Sequence, residues 1–221
     1  MIINSPTLLR LNIVNCGVNC GVYIEKYITI VTSNLSSFEY SCHKRFLVHP
    51  MNIQARMLSK FSFRGIEFSK PVGFSVLKIV TKIMLGGLLL ENLSTHILPR
   101  LFSECLQLED VTFKDCVFIS SIKITNTKLR YLNIIDCGWA DDSPSELAID
   151  ALNLSSFEYS NHTTRITSIT APRLLKVFWN CVVREKAPHL FNPIARLSHI
   201  ENLSMAINPL LVSHSKPMFA S

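Results

Sequence analysis

Glycine is scarce in this chain. Only 7 occur in 221 residues, less than half the usual share of about 7%. Glycine-rich phosphate loops are therefore nearly excluded, and no G-x-x-x-x-G-K-[ST] motif is present. Charge is sparse too, at 17% against about 25% for an average soluble domain. The longest apolar run, 83–90, follows Lys82. It falls well short of the roughly 18 residues a spanning helix needs. Met1-Ile2-Ile3-Asn4 has no basic region, so no secretory signal is expected. The 7 cysteines include no C-x-x-C pair; the closest spacing is Cys16 to Cys20. That arithmetic suits neither a zinc ribbon nor a disulfide framework, and points to reduced thiols in the cytosol or nucleus.

What the chain has in quantity is apolar surface. Hydrophobic residues make up 48%, enough to offset the ordering entropy that keeps polar chains disordered. Lys+Arg exceeds Asp+Glu by 22 to 16. These cations are scattered, and the densest cluster, His43-Lys44-Arg45, has no interleaved aromatics. Solvated surface charge is expected, not a nucleic-acid or membrane partner. N-x-S/T sequons at Asn34, Asn92, Asn153, Asn161 and Asn202 are read as composition.

The organising feature is an internal repeat. Asn34 to Ser41 recurs letter for letter as Asn153 to Ser160, and Leu11 to Gly17 closely matches Leu132 to Gly138. One template, apolar-x-x-apolar-x-apolar, underlies both. Nine copies centre on Leu11, Phe38, Phe61, Ile83, Val111, Leu132, Phe157, Val177 and Leu203. Their separations fall inside the window of about 20–29 residues that marks leucine-rich repeats. The Ile83 copy fits least well. A longer template, apolar-x-Ile-x4-apolar-x-x-apolar-x-apolar, precedes four copies, starting at Ile28, Ile122, Leu147 and Thr167, with Thr167 in place of the first apolar residue.

The apolar-x-apolar part has period two and predicts a short strand with one buried face. A single coil cannot bury that face alone, so coils must stack into a parallel sheet over a continuous core. The predicted fold is α/β: a leucine-rich-repeat solenoid, curved into an arc. The parallel sheet would line the concave side, with short helices and extended segments on the convex side. Apolar residues at 97, 98, 101, 102 and 105, with Pro99 in the first turn, predict a convex-side helix. Ser143-Pro144-Ser145-Glu146 reads as a capping box, yet the repeat register puts Leu147 and Ile149 in an extended limb; the register is preferred. Residues 1–206 form the repeat domain and 207–221 a tail.

Cys16, Cys42, Cys116, Cys137 and Cys181 recur at near-constant template positions, which predicts packing roles. Trp179 occupies a core position, and Trp139 a loop. No H-E-x-x-H or G-x-S-x-G motif occurs. Cys42-His43 with His49 lacks a fourth metal ligand, and Asp141-Asp142 reads as an exposed loop end. No metal, cofactor or catalytic residue is expected.

The strings Leu129 to Cys137, Ser33 to Tyr40 and Ala171 to Trp179 together resemble the leucine-rich region of plant F-box proteins, notably the F-box/FBD/LRR group. Leu98-Pro99 to Cys116 looks like that family's helix-then-strand repeat. The resemblance covers nearly the whole chain, but no F-box or FBD module is apparent within it. It implies a non-catalytic module that reads a protein partner for ubiquitin transfer, with a ligase adaptor only if an upstream F-box exists. A generic interaction scaffold is the alternative. The candidate protein-binding residues are the positions between the strand apolars, Asn12, Glu39, Ser62, Thr112, Asn133, Glu158, Phe178 and Ser204, and among the flanking positions Lys114, Tyr131 and Lys176. Arg10, Ser37, Lys60, Asp110 and Ser156 flank the same strands.

Overall fold

The computed structural model describes residues 2–15, 28–42, 51–65, 78–90, 98, 101–118, 121–139, 146–161, 165–183 and 192–209. Within them the repeat becomes one parallel sheet of nine strands: β2 (Arg10–Asn15), β4 (Ser37–Cys42), β6 (Lys60–Arg64), β7 (Lys82–Gly86), β9 (Asp110–Lys114), β12 (Tyr131–Ile135), β15 (Ser156–Asn161), β17 (Lys176–Val183) and β18 (Asn202–Pro209). The strands stand in spatial order from β2 to β18, each beside its neighbour in the repeat. Leu11, Phe38, Phe61, Ile83, Val111, Leu132, Phe157, Val177 and Leu203 lie in a single register row. The weakest copy, at Ile83, takes its place like the others.

This row is buried along the middle of the stack, and so is the row two residues on, from Tyr40 and Phe63 to Tyr159 and Trp179. Register stacks like on like: Phe38 on Phe61 with ring centroids 5.8 Å apart, Tyr40 on Phe63 at 5.3 Å, and Tyr159 against Trp179 at 4.7 Å. Each such side chain contributes about 1.5–3 kcal/mol through burial, and the ring contacts add to it. At β18 the stack ends among the described residues, so Leu203 there is 49% exposed.

Extended limbs precede most of the strands and form two smaller parallel sheets. One contains β1 (Ile2–Asn4), β3 (Ile28–Thr32) and β5 (Met51–Ala55); the other β11 (Ile122–Thr125), β14 (Glu146–Asp150) and β16 (Arg165–Thr170). Among the described residues the longer template is therefore used six times, not four. The two further copies run through Ile3 to Leu8 and Leu11, and through Ile53 to Leu58 and Phe61. β14 is a strand from Glu146 onward, which settles Leu147 and Ile149 in favour of the extended limb.

One assignment changes. The β14–β16 register shifts between Leu147 and Ala148, so Leu147 pairs with Ile166 and Ala148 with Ser168. Ile166 is buried and fills the first apolar position, while Thr167 is the extra residue of a bulge and faces solvent. The bulge keeps an apolar side chain in the core where a strict count would place a hydroxyl.

A third small sheet pairs β8 (Leu89–Leu90), β10 (Val117–Phe118) and β13 (Gly138–Trp139). Trp139 is thus in a short strand, not a loop. The chain reaches it through a tight turn after β7, β9 and β12, where Gly87, Asp115 and Asp136 have φ of 67°, 54° and 51°. Glycine and aspartate tolerate this left-handed conformation better than most residues. Helix is confined, among the described residues, to Leu98, 101–104 (α1), a 3-10 turn at 78–79 and Asn192–Ala195 (α2). α1 buries Leu101 and Phe102, with Leu98 and Cys105 alongside, as its spacing predicts.

Turns between limb and strand are fastened coil to coil. Ser36 Oγ donates to the Leu9 carbonyl at 3.0 Å, Ser59 Oγ to Ser36 at 3.1 Å, Thr81 Oγ1 to Ser59 at 3.3 Å, and Ser155 Oγ to Arg130 at 3.0 Å. The sequon asparagines Asn34 and Asn153 make equivalent bonds to the carbonyls of Pro6 and Thr127. Asn126 is buried; its amide donates to the Phe102 carbonyl at 3.2 Å, and its oxygen accepts from the Lys128 and Leu129 amides.

Candidate functional site: the outward face of the nine-stranded sheet

Alternation along each strand sends the intervening residues away from the core. The register makes them rows. Asn12, Glu39, Ser62, Met84, Thr112, Asn133, Glu158, Phe178 and Ser204 form the central row. Eight of these nine were picked out from the sequence, and they do come together. Tyr131 and Lys176 lie in the row before it, with Arg10, Ser37, Lys60, Lys82, Asp110 and Ser156. Lys114 lies in the row after it, beside Gly86 and in line with Arg64.

Sequence reasoning missed Lys82, Met84 and Arg64. Lys82 and Met84 belong to the poorly fitting Ile83 copy, and their place follows once Ile83 is set in register with Phe61. Arg64 lies beyond the core of the template.

The face is held by side chains bridging strands. Lys82 Nζ meets Asp110 Oδ2 at 2.6 Å, and Arg64 Nη2 meets Asp115 Oδ2 at 3.1 Å. Asn133 Nδ2 donates to Thr112 Oγ1 at 3.1 Å, and Ser160 Oγ to Asp136 Oδ1 at 3.1 Å. Tyr131 is 42% exposed and carries the Arg130 guanidinium 5.8 Å from its ring centre; Phe178 is 39% exposed. An open groove of about 890 Å³ runs beside the face along the turns, past Arg130, Arg173, His199 and Glu201.

The described thiols occupy the interior: Cys42, Cys105, Cys116 and Cys137 are buried and none is in a disulfide. Burial, with a smaller effect of Glu104, pushes the Cys105 thiol up to about 12. A hydrogen bond shared with Cys116 on the neighbouring rung, together with burial, pushes the Cys137 thiol well above the ordinary range. Cys116 Sγ also donates to the Leu85 carbonyl and Cys137 Sγ to Ile135, each at 3.4 Å. Cys105 and Cys137 are thus held protonated, the opposite of what a nucleophile requires. His43, His49, Asp141, Asp142 and Cys16 lie outside the described residues, as does the side chain of Cys181. Among the described residues, no group of three or more His, Cys, Asp or Glu could hold a metal ion, and no helix is long and apolar enough to cross a membrane.

Stacked parallel strands with a template of leucine-rich spacing, an apolar spine and an open polar face define a leucine-rich-repeat solenoid. The chain belongs to the family described as At1g61320/AtMIF1, LRR domain, whose family model matches residues 20–205. No curated protein and no solved structure matches the chain.

Proposed function

We propose that this chain is a protein-interaction module that binds its partner across the outward face of the nine-stranded sheet, on the concave side of a curved arc. The supporting observation is the registered face itself. It is broad, polar with a few exposed aromatics, and built on an apolar spine that holds every position in place. Such a surface reads a partner through many modest contacts around a few anchors. Tyr131 and Phe178 are the anchors; Asn12, Glu39, Ser62, Thr112, Lys114, Asn133, Glu158, Lys176 and Ser204 supply the polar contacts. The reaction, if one follows binding, belongs to another protein. The free thiols suit a reducing compartment.

The finer reading is substrate recognition for a cullin-RING ubiquitin ligase, which rests on the resemblance to plant F-box proteins alone. Recovery of a ligase adaptor with the full-length gene product, but not with this chain, supports it; recovery with neither favours the generic scaffold. The face is tested directly with a photocrosslinking residue placed at Asn133 or Glu158, and at Lys123 on β11 for comparison. Crosslinks expected from the two face positions should vanish when Tyr131→Ser and Phe178→Ser are combined in a protein with unchanged circular dichroism. Equal crosslinking from Lys123 would overturn the reading.

A further inference from the structure

Charge is divided unevenly along the outward face. On β2, β4, β6, β7 and β9 the outward positions carry five cations, Arg10, Lys60, Arg64, Lys82 and Lys114, against two carboxylates, Glu39 and Asp110. On β12, β15, β17 and β18 they carry one of each, Lys176 and Glu158. That second half holds the exposed rings of Tyr131 and Phe178 instead, with an open pocket of about 470 Å³ beside Phe178 lined by Glu158, Lys176, Asn202 and Ser204.

Folding does not account for the cationic half. Lys60 and Lys82 are direct register partners, and like charges side by side on neighbouring strands destabilise a sheet. Asp110 answers Lys82 and Asp115 answers Arg64. Arg10, Lys60 and Lys114 are exposed and form no ion pair with another described residue. Among these cations, Met84 is half-buried, and the Oγ of neighbouring Ser62 is buried without a hydrogen-bond partner. Gly86, between Arg64 and Lys114 in the third row, lies buried beneath the stem of Arg64.

We infer that the partner segment read by this face is an acidic, extended peptide of another protein. Its carboxylates lie over Lys60 and Lys114, and a large apolar side chain further along seats beside Phe178. This rests on the interaction reading above and names the partner's chemistry. The spacing follows from the ladder. Lys60 and Phe178 are on β6 and β17, five strand steps apart, or about 24 Å at about 4.8 Å per step. An extended peptide covers that distance in about seven residues at about 3.4 Å each.

The test uses fluorescence anisotropy with synthetic 15-residue peptides, about seven residues separating an acidic cluster from a leucine. Controls replace Glu by Lys, replace Leu by Ser, or move the Leu to a three-residue spacing. The acidic peptide should bind at least 10-fold tighter than its lysine counterpart, lose affinity as salt rises, and weaken several-fold in both leucine controls. Lys60→Glu combined with Lys114→Glu should weaken it at least 10-fold. Lys60→Glu alone should raise thermal stability, because it turns a like-charge pair into an attractive one; a fall in affinity with a rise in Tm separates binding from misfolding. Equal binding of the Glu and Lys peptides, no detectable binding of the acidic peptide, or affinity indifferent to the double reversal overturns the inference. If face crosslinks at Asn133 and Glu158 survive that result, the interaction reading stands and only the acidic partner falls. If those crosslinks are absent too, both fall.

Discussion

Asp110 sits beside Lys82 across the β7–β9 pair, 2.6 Å from its ammonium, while the other side of Lys82 faces Lys60. The carboxylate therefore offsets a repulsion as well as making a bond. Asp110→Asn should cost about 0.5–1 kcal/mol at low ionic strength, the scale of a partly exposed pair. Adding 0.5 M salt should recover much of that loss by screening the two lysines, as should a second change, Lys60→Ser. Urea denaturation at two salt concentrations measures both effects.

Position along the stack decides what a core residue is worth. Phe157 is buried between Leu132 and Val177, whereas Leu203 has, among the described residues, a register neighbour on one side only. Phe157→Ala should cost about 3–5 kcal/mol through lost burial and a cavity. Leu203→Ala should cost under about 1.5 kcal/mol, since half its surface is already wet. Similar losses for the two in equilibrium unfolding would contradict the stacked arrangement.

The bulge in β16 makes a sharp distinction between neighbours. Ile166→Ala should lose about 2–4 kcal/mol, and Thr167→Ala, which gives up only a hydroxyl bond to the Leu147 carbonyl, about 0.5–1.5 kcal/mol. A reversed order, read from denaturation midpoints, would mean that Thr167 points into the core.

Cys105 links stability to alkaline pH. Its thiol ionises near 9.0 in an ordinary setting and near 12 in the fold. Between those values the unfolded chain gives up the proton and the native state keeps it. The native state therefore loses stability as pH rises through this window, and gains nothing from this group below it. Cys105→Ala should lower stability at pH 7 through lost packing, yet show a shallower decline from pH 9 to 10.5 than the unmodified chain. Parallel declines would show that the thiol is not shielded.

The repeat was readable because its apolar template is also its packing rule. Residues that must meet in one core recur at one spacing, so Phe38, Leu132 and Phe157 could be aligned by counting. Counting did not find every limb. The limbs through Ile3 and Ile53 fit the longer template, and only their pairing beside β3 identifies them as limbs. Trp139 looked like a loop residue because a two-residue strand leaves no periodicity to detect.

The sequence by itself determined the coil, its length and the face each strand buries, since hydrophobic period and strand alternation are local properties. Only the tertiary structure decided who stands beside whom. The pairing of Lys60 with Lys82, the bulge that trades Thr167 for Ile166, and the division of the outward face into cationic and aromatic halves all depend on register. Register is set by the fit of whole coils against one another, through hydroxyl ladders, stacked rings and left-handed turns, and no single coil contains that information.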